Sequence, residues 1–175
     1  MPQSDQLGLE MFNSLPDEQA EALLLGCCTS RAWVRAVMGG RPYASADEVY
    51  TAADAALAEM TEADLDEALA GHPRIGQQSG AVHATWSGRE QAGMEAAPDD
   101  VRVAMVEANR AYEARFGHVY LVCATGRSGE ELLDILRGRL GNDAVTERRV
   151  TREELGKINR IRLERLVSGE EEGMT

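Results

Sequence analysis

Apolar residues recur along this chain at intervals of three and four, the spacing of one face of an α-helix. After Ser14-Leu15-Pro16-Asp17, the set Ala20, Leu23, Leu24 and Cys27 predicts a first such helix. Ser30 opens a shorter one through Trp33, Val34, Val37 and Met38, closed by Gly39-Gly40. Ser45-Ala46-Asp47-Glu48 has the form of a capping box, with Val49, Ala52, Ala53, Ala56 and Leu57 following on one face. Thr61-Glu62-Ala63-Asp64 starts another helix, whose Leu65, Ala68 and Leu69 precede a stop at Gly71. Residues 72–89 are rich in glycine, contain Pro73 and show little periodicity. Beyond Pro98, the residues Val103, Val106, Ala111 and Tyr112 predict a long helix running into Phe116-Gly117. Ser128-Gly129-Glu130-Glu131 and Thr151-Arg152-Glu153-Glu154 are two further capping boxes, each expected to open an amphipathic helix.

One segment resists this scheme. His118 to Thr125 has the composition of a strand, yet no other segment offers it a partner. A lone strand leaves its backbone groups unpaired, so the segment is expected to be a buried extended stretch or a helix start. The fold class that follows is all-α: a single compact multi-helix domain with a Gly-rich irregular insert. It spans 1–175, with flexible ends at about 1–12 and 169–175.

Composition narrows the possible functions. A chain of 175 residues can bury a sizeable core. No apolar run approaches the length of a membrane span, and Met1–Glu10 lacks the features of a secretory signal. Three cysteines, Cys27, Cys28 and Cys123, do not make a disulfide framework and fit a reducing compartment. The C-terminal Glu172-Gly173-Met174-Thr175 is not a peroxisomal address, and a cytoplasmic location is expected. A formal net charge of −12 argues against nucleic acid and anionic membrane as partners. A small anionic substrate would then need a local cation.

The candidate chemistry lies in a few residues. Gly71-His72-Pro73-Arg74-Ile75-Gly76 and Ser87-Gly88-Arg89-Glu90-Gln91-Ala92-Gly93 bring an imidazole and a carboxylate into two short segments that read as loops. Such a pair suits proton transfer, because histidine titrates near neutrality and a carboxylate can fix its tautomer. Pro73 disfavours a helical conformation at His72, which sets the imidazole just past a helix end. Each residue also has a simpler explanation. His72 could merely cap a helix C-terminus, and Glu90 could close a capping box with Ser87. Ser87 and Gln91 would share a turn with Glu90 and offer a hydroxyl and an amide to a ligand.

Arg162 is singled out by periodicity. Leu155, Ile158, Arg162 and Leu166 form one stripe of the last helix, with Glu153, Lys157 and Glu164 opposite. A guanidinium in an apolar stripe is costly unless it meets a carboxylate or a ligand. It could form a structural ion pair, snorkel to the rim, or hold an oxyanion through its fork. His72, His83 and His118 lack the spacing of metal ligands, so no metal is expected. Cys27-Cys28 reads as helix packing. Gly126-Arg127-Ser128-Gly129 lacks the lysine of a phosphate loop and reads as a helix entry.

Together these blocks resemble the 2-oxo-4-hydroxy-4-carboxy-5-ureidoimidazoline (OHCU) decarboxylase family of uric acid degradation. The resemblance rests on His-Pro-Arg-Ile-Gly at 72–76 and Ser-x-x-Glu-Gln-x-Gly at 87–93. It continues with Phe116-Gly117 leading into Cys123-Ala124, and with Glu154, Lys157, Ile158, Arg162 and Leu163. It implies an all-helical homodimeric carboxy-lyase that converts OHCU to (S)-allantoin without a cofactor. It makes His72 the catalytic acid/base and Glu90 its partner. Pro73, Ser87, Gln91 and Arg162 become substrate-binding residues, as do His118, Val119, Tyr120, Leu121 and Val122, the last group through their backbone. His118 is a departure, since the family usually has an apolar residue or proline there. Two other functions stay open on the residues alone: a hydrolase acting on a related ureide, and a non-enzymatic helical interaction module.

Overall fold

The computed structural model of the chain describes residues 3–76 and 91–168. Nine helices lie among the described residues: α1 Gln3–Ser14, α2 Asp17–Cys27, α3 Arg31–Gly39, α4 Ala46–Glu59, α5 Glu62–Ala70, α6 Ala92–Glu95, α7 Asp99–Phe116, α8 Gly129–Arg139 and α9 Ala144–Ser168. No strand occurs among them, and the fold is all-α as the periodicity predicts. The chain divides into two compact units. One runs through Ala68 and resumes at Gly156; the other is Leu69–Leu155.

In the first unit the caps form where the sequence puts them. The Ser30 hydroxyl accepts from the Trp33 N–H, and the Ser45 hydroxyl accepts from the Glu48 N–H. The Glu48 carboxylate returns not to Ser45 but to the Ala44 N–H at 3.0 Å, one residue outside the expected box. Thr61 and Asp64 exchange backbone-to-side-chain bonds of 2.8 and 3.1 Å, a capping box with aspartate as the acid. Trp33 is fully buried, and its indole donates to the Ala53 carbonyl at 3.2 Å, tying α3 to α4. One expectation changes here. Leu23 is exposed, so α2 buries only Ala20, Leu24 and Cys27. Leu9 and Phe12 are buried within α1.

The second unit is centred on Tyr112, Tyr120, Met105, Leu132 and Leu136, with Ile75 and Met94 packed against them. Its long helix α7 forms as expected but turns a different face inward. Val103 and Val106 are exposed, whereas Met105, Asn109 and Tyr112 are buried. Gly117 ends α7 at φ 76°, a left-handed conformation suited to glycine. Ser128 and Glu131 complete the reciprocal capping box of α8. The box expected at Thr151–Glu154 does not open a helix. Helix α9 begins at Ala144, where Asp143 accepts from the Thr146 N–H at 2.7 Å, and Thr151 lies buried in its interior.

Candidate active site

The His72 segment follows directly from the end of α5. The His72 N–H donates to the Leu69 carbonyl at 3.0 Å, and Pro73, with no N–H, cannot continue the helix. The chain then turns inward. Ile75 is buried in the second unit's core, and its carbonyl accepts from Asn109 Nδ2 at 3.1 Å. Gly76, at φ 89°, donates its N–H to Gln91 Oε1 at 2.7 Å. Arg74 faces outward and pairs with Glu113 at 2.7 Å. His72 is half-buried on a backbone fixed at three points: Ile75 in the core, the Asn109 amide and the Gln91 amide.

Gln91, expected to contact substrate, thus uses its carbonyl oxygen to hold the His72 segment. Two residues on, Gly93 fits α6 against the entry to α8. A Cβ there would lie 2.0 Å from the Arg127 carbonyl oxygen, so the glycine of the 87–93 block is needed for a close backbone approach. Ser87 and Glu90, and with them His83, lie outside the described residues.

The 118–122 segment is irregular, neither strand nor helix start. It is held from below by a buried ion pair that no sequence pattern announces. Arg139 and Glu147 are 8% and 0% exposed and meet at 2.5 Å. Arg139 Nη1 also donates to the Leu121 carbonyl at 2.6 Å, and its Nη2 donates to Thr151 Oγ1 at 3.3 Å. The Arg139 guanidinium stacks over the Tyr120 ring, 5.0 Å from its centroid. Glu147 accepts further bonds from the Tyr112 hydroxyl at 2.5 Å and from Asn142 Nδ2 at 3.0 Å. The carboxylate is therefore well supplied with donors, as a buried charge requires. Burial opposes the Arg139 charge, but the hydrogen bond and charge of Glu147 outweigh it and raise the pKa. Tyr112 and Tyr120 are also shifted upward, chiefly by burial.

Two further bonds fix the segment. Tyr120 donates from its hydroxyl to the Leu132 carbonyl at 3.0 Å, and Glu154 accepts from the Cys123 N–H at 2.8 Å. His118 is half-buried beside Tyr112, with ring centroids 5.6 Å apart and edge to face. Its Nδ1 lies 3.1 Å from the Val119 carbonyl oxygen. Of the backbone groups proposed for substrate, the Leu121 carbonyl is engaged by Arg139 and the Val119 carbonyl by His118.

Arg162 belongs to the first unit. It is 3% exposed, which excludes snorkelling, and its Nη1 donates to the Cys27 carbonyl at 3.0 Å. Leu155 and Ile158 are buried on the same helix, while Glu153, Lys157 and Glu164 are exposed, as the stripe predicts. Leu166 is only half-buried, and Leu163 and Val167 complete the apolar face. Among the described residues, no three His, Cys, Asp or Glu side chains gather as a metal site. No described helix is long and apolar enough to cross a membrane.

Known proteins match both sequence and fold. The family model for OHCU decarboxylase matches residues 13–164. An OHCU decarboxylase from Amia calva is 29% identical over 136 residues, covering 75% of this chain and 78% of that protein. The uric acid degradation bifunctional protein TTL of Arabidopsis thaliana is 27% identical over 147 residues, or 81% of this chain. A bifunctional uric acid degradation protein from Bacillus sp. (strain TB-90) is 23% identical over 95% of this chain. The chain spans 45% and 34% of the length of these two bifunctional relatives. A crystal structure of OHCU decarboxylase in the presence of (S)-allantoin superposes with a TM-score of 0.74 at 23% identity, covering 88% of this chain and 99% of that one. A crystal structure of (S)-allantoin synthase gives a TM-score of 0.67 at 18% identity, covering 89% of this chain and 52% of that one. With the family model matched across 13–164, the chain belongs to the OHCU decarboxylase family.

Proposed function

We propose that this protein decarboxylates OHCU to (S)-allantoin, using its own side chains and the electron-accepting ring of the substrate. The carboxylate of OHCU sits on a ring carbon beside a C=N carbon. When the C–C bond to the carboxylate breaks, CO₂ departs and the electron pair enters the ring to form a C=C bond, with the former C=N nitrogen taking up charge and a proton. A proton then reaches the ureido-bearing carbon from one face, and the neighbouring hydroxyl gives up its proton to become a carbonyl. The substrate thus supplies its own electron sink. The protein's part is to bind, to neutralise charge and to deliver a proton stereospecifically.

In this reading His72 handles that proton and Glu90 fixes its tautomer. Arg162 supplies fixed positive charge to a substrate oxygen. Pro73, Ser87, Gln91 and the backbone of 118–122 orient the ring, and the chain acts as one domain over 1–175. A homodimeric active unit and a cytoplasmic location complete the proposal. The observation that carries it is the pinning of the His72–Gly76 backbone by the core and by two amides, which suits an imidazole that must meet one face of a planar intermediate.

The test is carbon dioxide release from OHCU generated in situ from urate. Trapped CO₂ in step with allantoin formation, above the spontaneous rate, supports decarboxylation. Consumption of OHCU without excess CO₂ would point to a hydrolase.

A further inference from the structure

Helix α9 buries an amide that the proposed mechanism does not use. Asn159 is 3% exposed, and neither its Nδ2 nor its Oδ1 has a nitrogen or oxygen hydrogen-bond partner among the described residues. An asparagine side chain can donate twice and accept twice, and leaving that capacity unmet inside a protein is unfavourable. Native structures keep few such groups, and one that persists calls for a reason.

The surroundings supply one. Arg162 lies three residues further along the same helix, so the two side chains share a face. Both act on the Cys28 thiol: the Asn159 amide and the Arg162 charge lower its pKa, although burial, the largest influence, keeps it raised overall. Arg162 Nη1 meanwhile binds the adjacent Cys27 carbonyl. A buried guanidinium and a buried amide thus converge at the end of α2 within the first unit. Among the described residues, the group the amide acts on is the Cys28 thiol, a weak donor and weak acceptor.

We infer that Asn159 is a second ligand-binding residue beside Arg162, its amide pairing with the N–H and C=O of a urea- or cyclic-amide group while Arg162 holds an oxygen of the same ligand. A ureido-imidazoline offers both kinds of group. The pairing would favour substrates with a urea or lactam edge over simple oxo acids. This inference rests on the proposed function, which assigns Arg162 to substrate.

The test uses Asn159→Leu, close in volume but unable to hydrogen-bond, with (S)-allantoin as the binding probe and OHCU as substrate. Thermal stability should hold or rise, because an unpaired polar group is removed. The Kd for (S)-allantoin and the KM for OHCU should each rise about tenfold, with kcat changed less. If Asn159→Leu lowers Tm, the smaller Asn159→Ser carries the same comparison. Asn159→Asp should weaken binding further, because its carboxylate would neutralise Arg162. Kd and KM within twofold of wild type in a folded Asn159→Leu would overturn the inference while leaving the decarboxylase reading intact. A wild-type protein that neither binds (S)-allantoin nor releases CO₂ from OHCU would overturn both.

Discussion

Arg139→Leu removes the cation beneath the 118–122 segment and leaves the Glu147 carboxylate, 0% exposed, without its counter-charge. Breaking a buried pair by deleting one partner costs about 3–5 kcal/mol. Tyr112 and Asn142 still donate to Glu147, which favours the lower part of that range. The Leu121 carbonyl and the Thr151 hydroxyl lose donors as well, which offsets part of that relief. A change of 1 kcal/mol moves Tm by about 2–4 °C in a protein of this size, so a fall of about 6–20 °C is expected. The companion variant Arg139→Leu/Glu147→Leu removes both charges and their desolvation penalty together, and should recover most of the loss. Calorimetry on the two variants and on Glu147→Leu alone closes the cycle. A fall of less than about 2 °C in Arg139→Leu, or a double variant as unstable as the sum of the singles, would refute the assignment of this pair as the anchor. If the anchor also sets the backbone against which substrate lies, the KM for OHCU should rise in the rescued double variant.

The helix starts were legible because each cap is a local event. Ser30, Ser45, Thr61 and Ser128 act on backbone groups within three residues, so four consecutive letters carry the signal. Thr151–Glu154 has the same letters but lies within a helix already begun at Ala144, and in that setting Thr151 serves Arg139 instead. Position in the helix, not letter pattern, decided its role. The anchor itself was hidden for a related reason. Arg139 in the last turn of α8 and Glu147 in the first turn of α9 each look like an ordinary complement to a helix dipole. Only the fold reveals that they face one another in the core.

The inward face of α7 is not legible in the sequence, because the valines at 103 and 106 suggest an apolar stripe, whereas the buried face includes a polar residue, Asn109, in the service of the Ile75 backbone. The scaffolding roles of Asn109 and Gln91 have no sequence signature, since their partners are backbone atoms 34 and 15 residues away. Arg162 was legible because its burial follows from periodicity, but its Cys27 carbonyl partner, on a distant helix, did not.

Two further outcomes follow from the same contacts. Asn109→Leu strands the Ile75 carbonyl and frees the His72 segment; stability should fall by about 1 kcal/mol by denaturant titration, while kcat on OHCU falls by up to about 100-fold, the cost of a 1 Å misplacement. An unchanged kcat would show that the pinned backbone does not position His72. Tyr112 and Tyr120 have pKa values raised above the ordinary 10.0, so their neutral forms are favoured in the folded state. The stability this contributes is fully present below pH 10 and is lost as pH climbs toward the folded-state values. Unfolding midpoints measured from pH 9 to 12 should drop in wild type and drop less steeply in Tyr120→Phe, with equal slopes counting against the argument.

The central claim is that a pinned His72 delivers one proton to one face of decarboxylated OHCU. Circular dichroism of OHCU freshly made from urate measures this directly. Wild type should produce the (S)-allantoin signal well above the spontaneous rate, and folded His72→Gln should lose a factor of about 10² to 10⁴. Near-normal turnover by His72→Gln, or only the slow racemic background with folded wild type, would contradict it.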